Sequence, residues 1–198
     1  MKKHFFCLIA ISLFFSQTSW SQSALLSKED LDKAKRYASL PEALKEPEKV
    51  YRLDLSSQKN VKELFHEIIK LKNLQELNLF GCQLSSLPPE IAKLSNLQHL
   101  NLSTNQIVRL PIEISNLINL TYLNLYGTKV SDAGLKQLNG LTDLRSVYLW
   151  QSQVTSNGVN ALKTALPQAR IDNGADLTLL VKKEEKEEKK EEKKEEKK

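Results

Sequence analysis

The sequence predicts an α/β fold, a short arc of stacked repeats with a parallel β-sheet on the inner wall and helical or 3₁₀ turns on the outer wall. Two observations predict it. Residues 74–96 and 97–119 align without a gap, which gives an internal repeat of 23 residues. Within each copy, apolar residues two apart are followed by proline and then by apolar residues three apart. Units of this kind bury their apolar edges only by stacking on one another.

One short strand is expected in each repeat. Leu77 and Leu79 are two residues apart, so in an extended chain both side chains point into the stack. Pro88 and Pro89 prevent the strand from continuing. Ile91 then begins a stretch with a spacing of three, which suits one turn of α-helix or 3₁₀ helix on the outer wall.

The repeats carry the pattern L-x-x-L-x-L-x-x-N/C-x-L, and from roughly Val50 to Asp172 the chain resembles the leucine-rich repeat proteins, in particular exported bacterial ones. Equivalent positions in the two best copies pair as Leu74 with Leu97, Leu77 with Leu100, Leu79 with Leu102, Cys82 with Asn105, Leu84 with Ile107, Leu87 with Leu110, Pro88 with Pro111, Ile91 with Ile114 and Leu94 with Leu117. The resemblance implies a solenoid. Members of this family bind many unrelated partners, so the fold alone does not name a ligand.

The N-terminus has the features of an export signal. Lys2 and Lys3 precede the apolar run FFCLIAISLFF, and small residues at Ser19 and Ser21 follow. We predict that residues 1–21 are a removable signal peptide. The alternatives are a buried amphipathic helix or a membrane span, but an apolar run of 11 residues is too short to cross a core of roughly 30 Å as a helix. The expected location is the periplasm, the cell surface or the medium of a bacterium, with no membrane span in the mature chain.

A helical cap is predicted over the first repeat, in residues 22–49, because the open apolar end of a solenoid needs a cover. Ser27 followed three residues later by Asp30 is the sequence sign of a capped helix start. Leu31 and Ala38 continue at helical spacing, and a second short helix is expected to open at Ser39 and Pro41 and to end at Pro47.

Residues 50–172 contain about four and a half repeats. The later copies replace the proline-containing segment with longer apolar patterns around Leu138 and Leu162, which favour fuller helices on the outer wall. Residues 173–181 are predicted to be a C-terminal cap. Residues 182–198 hold 9 Lys and 8 Glu, and like charges four residues apart oppose a helix, so a mobile, solvated tail is expected rather than a charged single helix.

The charge balance excludes a nucleic-acid partner. The chain has 29 Lys plus Arg against 24 Asp plus Glu; without the signal peptide the balance is 27 against 24, and without the tail it is 18 against 16. The body is therefore nearly neutral and has no basic stripe of the kind that binds nucleic acid.

No catalytic or metal-binding arrangement emerges from the motifs. Cys82 is the only cysteine after the signal peptide, so it has no disulfide partner within the chain and is predicted to be a buried structural thiol. His66 and His99 fall on opposite walls, and the HExxH, GxSxG and glycine-rich phosphate motifs are absent. The prediction is a protein that is not an enzyme and that uses no metal and no cofactor.

The inner face is the remaining candidate site, because each strand presents alternate residues there. Tyr122, Tyr126, Tyr148 and Trp150 fall on two neighbouring strands, and Tyr and Trp gathered on an exposed surface are typical of interface hot spots. The full predicted partner-binding set consists of Tyr122, Tyr126, Tyr148, Trp150, Phe80, His99, Asn101 and Asn124.

The predicted function is that of an exported, monomeric, non-enzymatic module that binds a protein or peptide on its concave face. Glycan binding is an alternative, with Trp150 and the tyrosines stacked on sugar rings and Asn124 and Gln151 bound to hydroxyl groups. A structural module of the cell envelope without a specific ligand is a third possibility. In that case the aromatic residues cover one another or are covered by the C-terminal segment.

Overall fold

The computed structural model describes residues 25–174. Within them, seven parallel strands form one sheet in chain order, which confirms the predicted solenoid. The strands are β1 (Arg36–Tyr37), β2 (Arg52–Asp54), β3 (Glu76–Asn78), β4 (His99–Asn101), β5 (Tyr122–Asn124), β6 (Ser146–Tyr148) and β7 (Arg170–Asp172). The predicted signal peptide, the tail and most of the predicted C-terminal cap lie outside the described residues.

Helical turns of two kinds alternate with these strands. The α-helices are α1 (Lys28–Lys33), α2 (Leu40–Ala43), α3 (Val61–Ile68), α4 (Asp132–Leu135) and α5 (Ser156–Ala165), and the 3₁₀ helices are Pro47–Lys49, Pro89–Lys93, Ile112–Asn116 and Lys136–Leu138. In the two best repeats, Pro88 and Pro111 are extended and a 3₁₀ helix follows each of them directly. The strands themselves end earlier, at Asn78 and Asn101, so each proline marks the start of the 3₁₀ helix and does not end the strand as predicted.

The N-terminal segment contains the second predicted helix, α2, which begins after Ser39, but its first helix is shorter than predicted. Helix α1 begins as expected: the Ser27 Oγ accepts a hydrogen bond from the Asp30 amide at 3.1 Å. The helix ends at Lys33, although the apolar spacing continues to Ala38, and residues 36–37 instead form strand β1 alongside β2. The reason is physical, because the open edge of β2 offers unpaired backbone groups that a short strand satisfies better than a helix does.

A single core runs through all the described repeats. In-register leucines and their equivalents stack in one column that contains Leu53, Leu77, Leu100, Leu123, Val147 and Ile171. Every member of that column is buried, and burial of each such side chain contributes about 1.5 to 3 kcal/mol. The register confirms that Leu77 and Leu79 both face the core.

The asparagine or cysteine slot of the repeat supplies polar contacts inside the core. The Asn105 amide donates to the carbonyls of Leu79 and Leu102, both at 2.8 Å, and its oxygen accepts from the Leu84 amide at 2.9 Å. Cys82 occupies the same slot one repeat earlier and donates to the Leu55 carbonyl at 3.1 Å. Burial raises the pKa of the Cys82 thiol, as expected of a structural rather than a reactive cysteine.

One carboxylate links the last two outer-wall helices. Asp132, the first residue of α4, accepts hydrogen bonds from the Thr155 amide at 2.8 Å and from the Thr155 hydroxyl at 2.6 Å. The hydroxyl bond, followed by the amide bond, is the main cause that lowers the pKa of Asp132 below its usual 3.8. Thr155 in turn caps α5 by accepting from the Gly158 amide.

This carboxylate predicts a pH dependence of stability. Because the pKa of Asp132 is lower in the folded protein, its contribution is complete above the ordinary carboxyl pKa of 3.8 and is lost as the pH falls through the lower folded value. We expect Asp132→Asn to be less stable than the native chain at pH 7 and the two to converge as the pH falls below about 4. Urea unfolding at a series of pH values measures the difference. A gap that stays constant across this range would show that ionised Asp132 does not hold α5.

Candidate functional site

The concave face is built from three columns of side chains that run across the strands. The first column contains Arg36, Arg52, Glu76, His99, Tyr122, Ser146 and Arg170, and the second contains Asp54, Asn78, Asn101, Asn124, Tyr148 and Asp172. The third column lies just beyond the strand ends and contains Ser56, Phe80, Ser103, Tyr126, Trp150 and Gly174. Backbone hydrogen bonds between neighbouring repeats continue here, such as that from the Gly127 amide to the Trp150 carbonyl at 2.9 Å. Adjacent members are therefore separated by one strand spacing of about 4.8 Å.

Four of the predicted residues lie together as an aromatic cluster, which we define as Tyr122, Tyr126, Tyr148 and Trp150. The ring centroids of Tyr126 and Trp150 are 5.6 Å apart, and those of Tyr122 and Tyr148 are 5.4 Å apart. Both distances fall within the range of favourable aromatic pairs. Trp150 nevertheless remains 44% exposed, so the rings do not fully cover one another.

A glycine fixes the position of Trp150. Gly174 has a φ of +74°, and a Cβ atom built on it would lie 2.2 Å from Cδ1 of the indole. Only glycine allows the backbone to approach the ring so closely and to adopt this conformation. The contact of Gly174 with Trp150 was not predicted from the sequence.

Phe80 and His99 lie at different distances from the aromatic cluster. The His99 ring meets the edge of Tyr122 at a centroid distance of 5.8 Å, and burial lowers the pKa of the imidazole. Phe80 is 41% exposed, but Ser103 stands between it and Tyr126 in the third column. His99 therefore extends the cluster, whereas Phe80 stands apart from it.

Asn101 and Asn124 have a local role that the sequence analysis missed. The side-chain oxygen of Asn101 accepts from the Ser103 amide at 3.0 Å, and that of Asn124 accepts from the Tyr126 amide at 2.9 Å. These bonds turn the chain at the end of each strand, as Asx turns do. The sequence feature that could have predicted this role is the recurrence of Asp or Asn at this position of successive repeats. Much of the hydrogen-bonding capacity of both side chains is thus used in the fold.

A charged cluster lies at the N-terminal end of the same face, and sequence reasoning missed it as a unit. Glu76 accepts from Arg36 and from Nε of Arg52, both at 2.8 Å, and Arg52 also donates to the Asp32 carbonyl at 2.8 Å. These residues and His99 line a cleft of about 380 Å³. Because the charges satisfy one another and join α1 to the sheet, the cluster is well explained as part of the fold.

A second cleft, of about 400 Å³, lies over the aromatic cluster. Its lining consists of Tyr122, Asn124, Tyr126, Tyr148, Trp150 and Asp172. Its size is at the lower end of the roughly 300 to 1,000 Å³ typical of small-ligand pockets, so it has room for a side chain or a sugar ring. The sequence analysis did not include Asp172 in the site.

The family follows from comparison with known proteins. A sequence model described as a leucine-rich repeat region matches residues 49–191, which is more than half of the chain. The chain belongs to the leucine-rich repeat family. Proteins with this fold commonly mediate protein–protein interactions and are typically binding modules rather than enzymes.

Two solved leucine-rich repeat structures are similar to this chain. A leucine-rich repeat protein of Leptospira interrogans is 28% identical over 70% of this chain and 46% of its own, with a TM-score of 0.50. Internalin C2 of Listeria monocytogenes is 29% identical over 65% of this chain and 53% of its own, with a TM-score of 0.54. This chain thus matches about half the length of each structure. No curated protein sequence matches it.

Two further findings concern the part of this leucine-rich repeat chain that the structure describes. Residues 25–174 contain no helix with the length and apolar character needed to cross a bilayer. In the same range, no three His, Cys, Asp or Glu side chains are grouped so that they could hold a metal ion.

Proposed function

We propose that this chain is an exported leucine-rich repeat module that binds a protein or peptide on its concave face, with the aromatic cluster as the anchor. The observation that carries the proposal is the position of these four rings. They lie on two adjacent strands of an open sheet, in pairs with centroids 5.4 and 5.6 Å apart. Together they line a cleft that is open to solvent.

The geometry favours binding because the rings are held in place before a partner arrives. The parallel ladder fixes the backbone of Tyr122 and Tyr148, and Gly174 packs against the indole of Trp150. Little side-chain entropy is then lost when a partner binds. Tyr and Trp are also the residues that most often dominate binding energy at the centre of interfaces.

Export is the part of the proposal that rests on sequence alone, because residues 1–21 lie outside the described residues. The charged start, the apolar run and the small residues before Gln22 support a signal peptide. We expect the N-terminal sequence of the secreted protein to begin close to Gln22. A mature protein that still begins at Met1 would contradict export by this route.

The remaining parts of the chain complete the proposal. Residues 22–49 serve as the N-terminal cap. The hydrogen bond that Arg52 of the first repeat donates to the Asp32 carbonyl of the cap supports this role. Residues 173–181 close the other end, residues 182–198 form a solvated charged tail, and the protein acts as a monomer. Neither a metal nor a cofactor takes part in binding.

The partner class is tested by a binding screen of the secreted protein against immobilised peptides, surface proteins and polysaccharides. We expect a peptide or protein to be retained and to be displaced by the same molecule added in solution. Retention of polysaccharides alone would favour the glycan alternative, in which Trp150 and the tyrosines stack on sugar rings and Asn124 and Gln151 bind hydroxyl groups. Retention of nothing would favour an envelope module without a ligand.

A further inference from the structure

The second column of the concave face contains a charge that the fold does not need. At five of its six positions, a side-chain oxygen accepts from the amide two residues later, at 2.9 to 3.1 Å. At Asn78, Asn101 and Asn124 a neutral amide forms this turn. Asp54 and Asp172, at the two ends of the column, form the same bond with a carboxylate. The negative charge is therefore additional to what the turn requires.

The two carboxylates have different surroundings. Burial opposes ionisation of Asp54, but hydrogen bonds from Ser56 and Asn78 and the nearby Arg36 guanidinium together lower its pKa. The charge of Asp54 is thus matched within the fold. Asp172 forms no ion pair within residues 25–174, although Arg170 lies two residues earlier on the same face.

Asp172 lies instead at the edge of the aromatic cleft. The six residues that line this cleft comprise four aromatic rings, one amide and this carboxylate, and none of them is basic. The faces of aromatic rings attract cations because of their quadrupole. A positively charged group in the cleft would therefore be attracted by both the rings and the carboxylate, whereas an anion would be repelled by both.

We propose that this cleft binds an arginine side chain of the protein partner, with the guanidinium against the aromatic cluster and hydrogen-bonded to Asp172. This inference rests on the proposed function and names the chemistry of the partner. Arginine fits better than lysine because its planar group stacks on aromatic rings, is weakly hydrated and presents paired donors to a carboxylate. The cleft of about 400 Å³ has room for such a side chain.

Tryptophan fluorescence can report on the cleft directly. The chain has two tryptophans, Trp20 and Trp150. A mature chain that begins at Gln22 lacks Trp20, so the cleft residue is its only tryptophan. The probes are N-acetyl-arginine methylamide, its lysine analogue and its citrulline analogue, which has nearly the shape of arginine but no charge. We expect saturable binding of the arginine probe and at least tenfold weaker binding of the citrulline probe. Equal binding of these two would overturn the proposal.

The column provides a matched pair of variants. Asp172→Asn keeps the turn acceptor and removes the charge, and Asn at equivalent positions shows that the fold tolerates it. We expect it to weaken binding of the arginine probe at least tenfold. Asp54→Asn makes the same change at the far end of the column and should leave binding unaltered. Native affinity in Asp172→Asn, or an equal loss in both variants, would overturn the role of Asp172.

The same experiment separates this inference from the proposed function. If binding of the partner depends on Trp150 and Tyr126 but is normal in Asp172→Asn, the concave site is supported and arginine is contradicted as its ligand. If binding is unaffected by loss of Trp150 and Tyr126, the concave site itself is contradicted. Deletion of residues 182–198 tests whether the chain's own lysines occupy the cleft. A tenfold gain in affinity for the arginine probe would show that the tail, and not an external partner, is the occupant.

Discussion

Replacing Leu100 with aspartate is expected to unfold the protein. Leu100 has no exposed surface and lies between Leu77 and Leu123 in the core column. A carboxyl group at this position would lose its hydration, at a cost of several kcal/mol, and the lost leucine packing would add about 2 to 5 kcal/mol. Together these costs approach the whole stability of a typical domain, about 5 to 15 kcal/mol. Circular dichroism during heating measures the loss.

Ile118→Asp is the matched control for this variant. Ile118 follows the 3₁₀ helix Ile112–Asn116 in the same repeat and is 64% exposed, so aspartate there remains hydrated and the melting temperature should change little. If Leu100→Asp instead melted cooperatively within a few degrees of the native chain, the stacked register of the repeats would be wrong.

Combining Trp150→Ala with Tyr126→Ala is expected to weaken partner binding by roughly 30-fold or more. The estimate follows because an aromatic anchor at the centre of an interface contributes about 2 kcal/mol or more, and each 1.4 kcal/mol corresponds to about tenfold in affinity. Trp150 is 44% exposed and Tyr126 is only half-buried, so folding should be nearly unaffected. Isothermal titration with the partner found by the screen, together with a thermal melt, measures both effects.

The outer wall supplies the control for loss of exposed apolar surface. Ile112 and Ile118 are 70% and 64% exposed there, and replacing both with alanine should leave binding unaltered, as should His66→Ala on helix α3. Normal binding by the aromatic double variant, combined with weakened binding by the outer-wall variants, would move the site to the convex face.

Much of the fold could be predicted from the sequence because the same pattern of apolar residues and prolines occurs in successive repeats. The spacing of Leu77, Leu79 and Ile91 recurs 23 residues later, so strand, turn and 3₁₀ helix follow from local patterns and stacking. Strand β1 could not be predicted in this way. Its two residues have no repeat partner in the sequence, and they become a strand only because the exposed edge of β2 is adjacent in space.

The candidate site was predictable in outline but not in its contacts. Alternation along the strands placed Tyr122 and Tyr148 on one face, and the register brought them together as expected. The pairing of Arg36 with Glu76 spans 40 residues and depends on β1. Asp172 continues the second column next to Tyr148, but its place in the cleft depends on side-chain directions and on the close approach of Gly174 to the indole, which could not be derived.

The most direct test of the concave site is the emission of Trp150 during titration of the mature chain with the partner, because a chain that begins at Gln22 has no other tryptophan. If the partner covers the aromatic cluster, the emission should change as the indole leaves water and should saturate at the same dissociation constant that calorimetry gives. Full binding by calorimetry without any change in Trp150 emission would contradict the account, because the partner would then bind elsewhere on the solenoid.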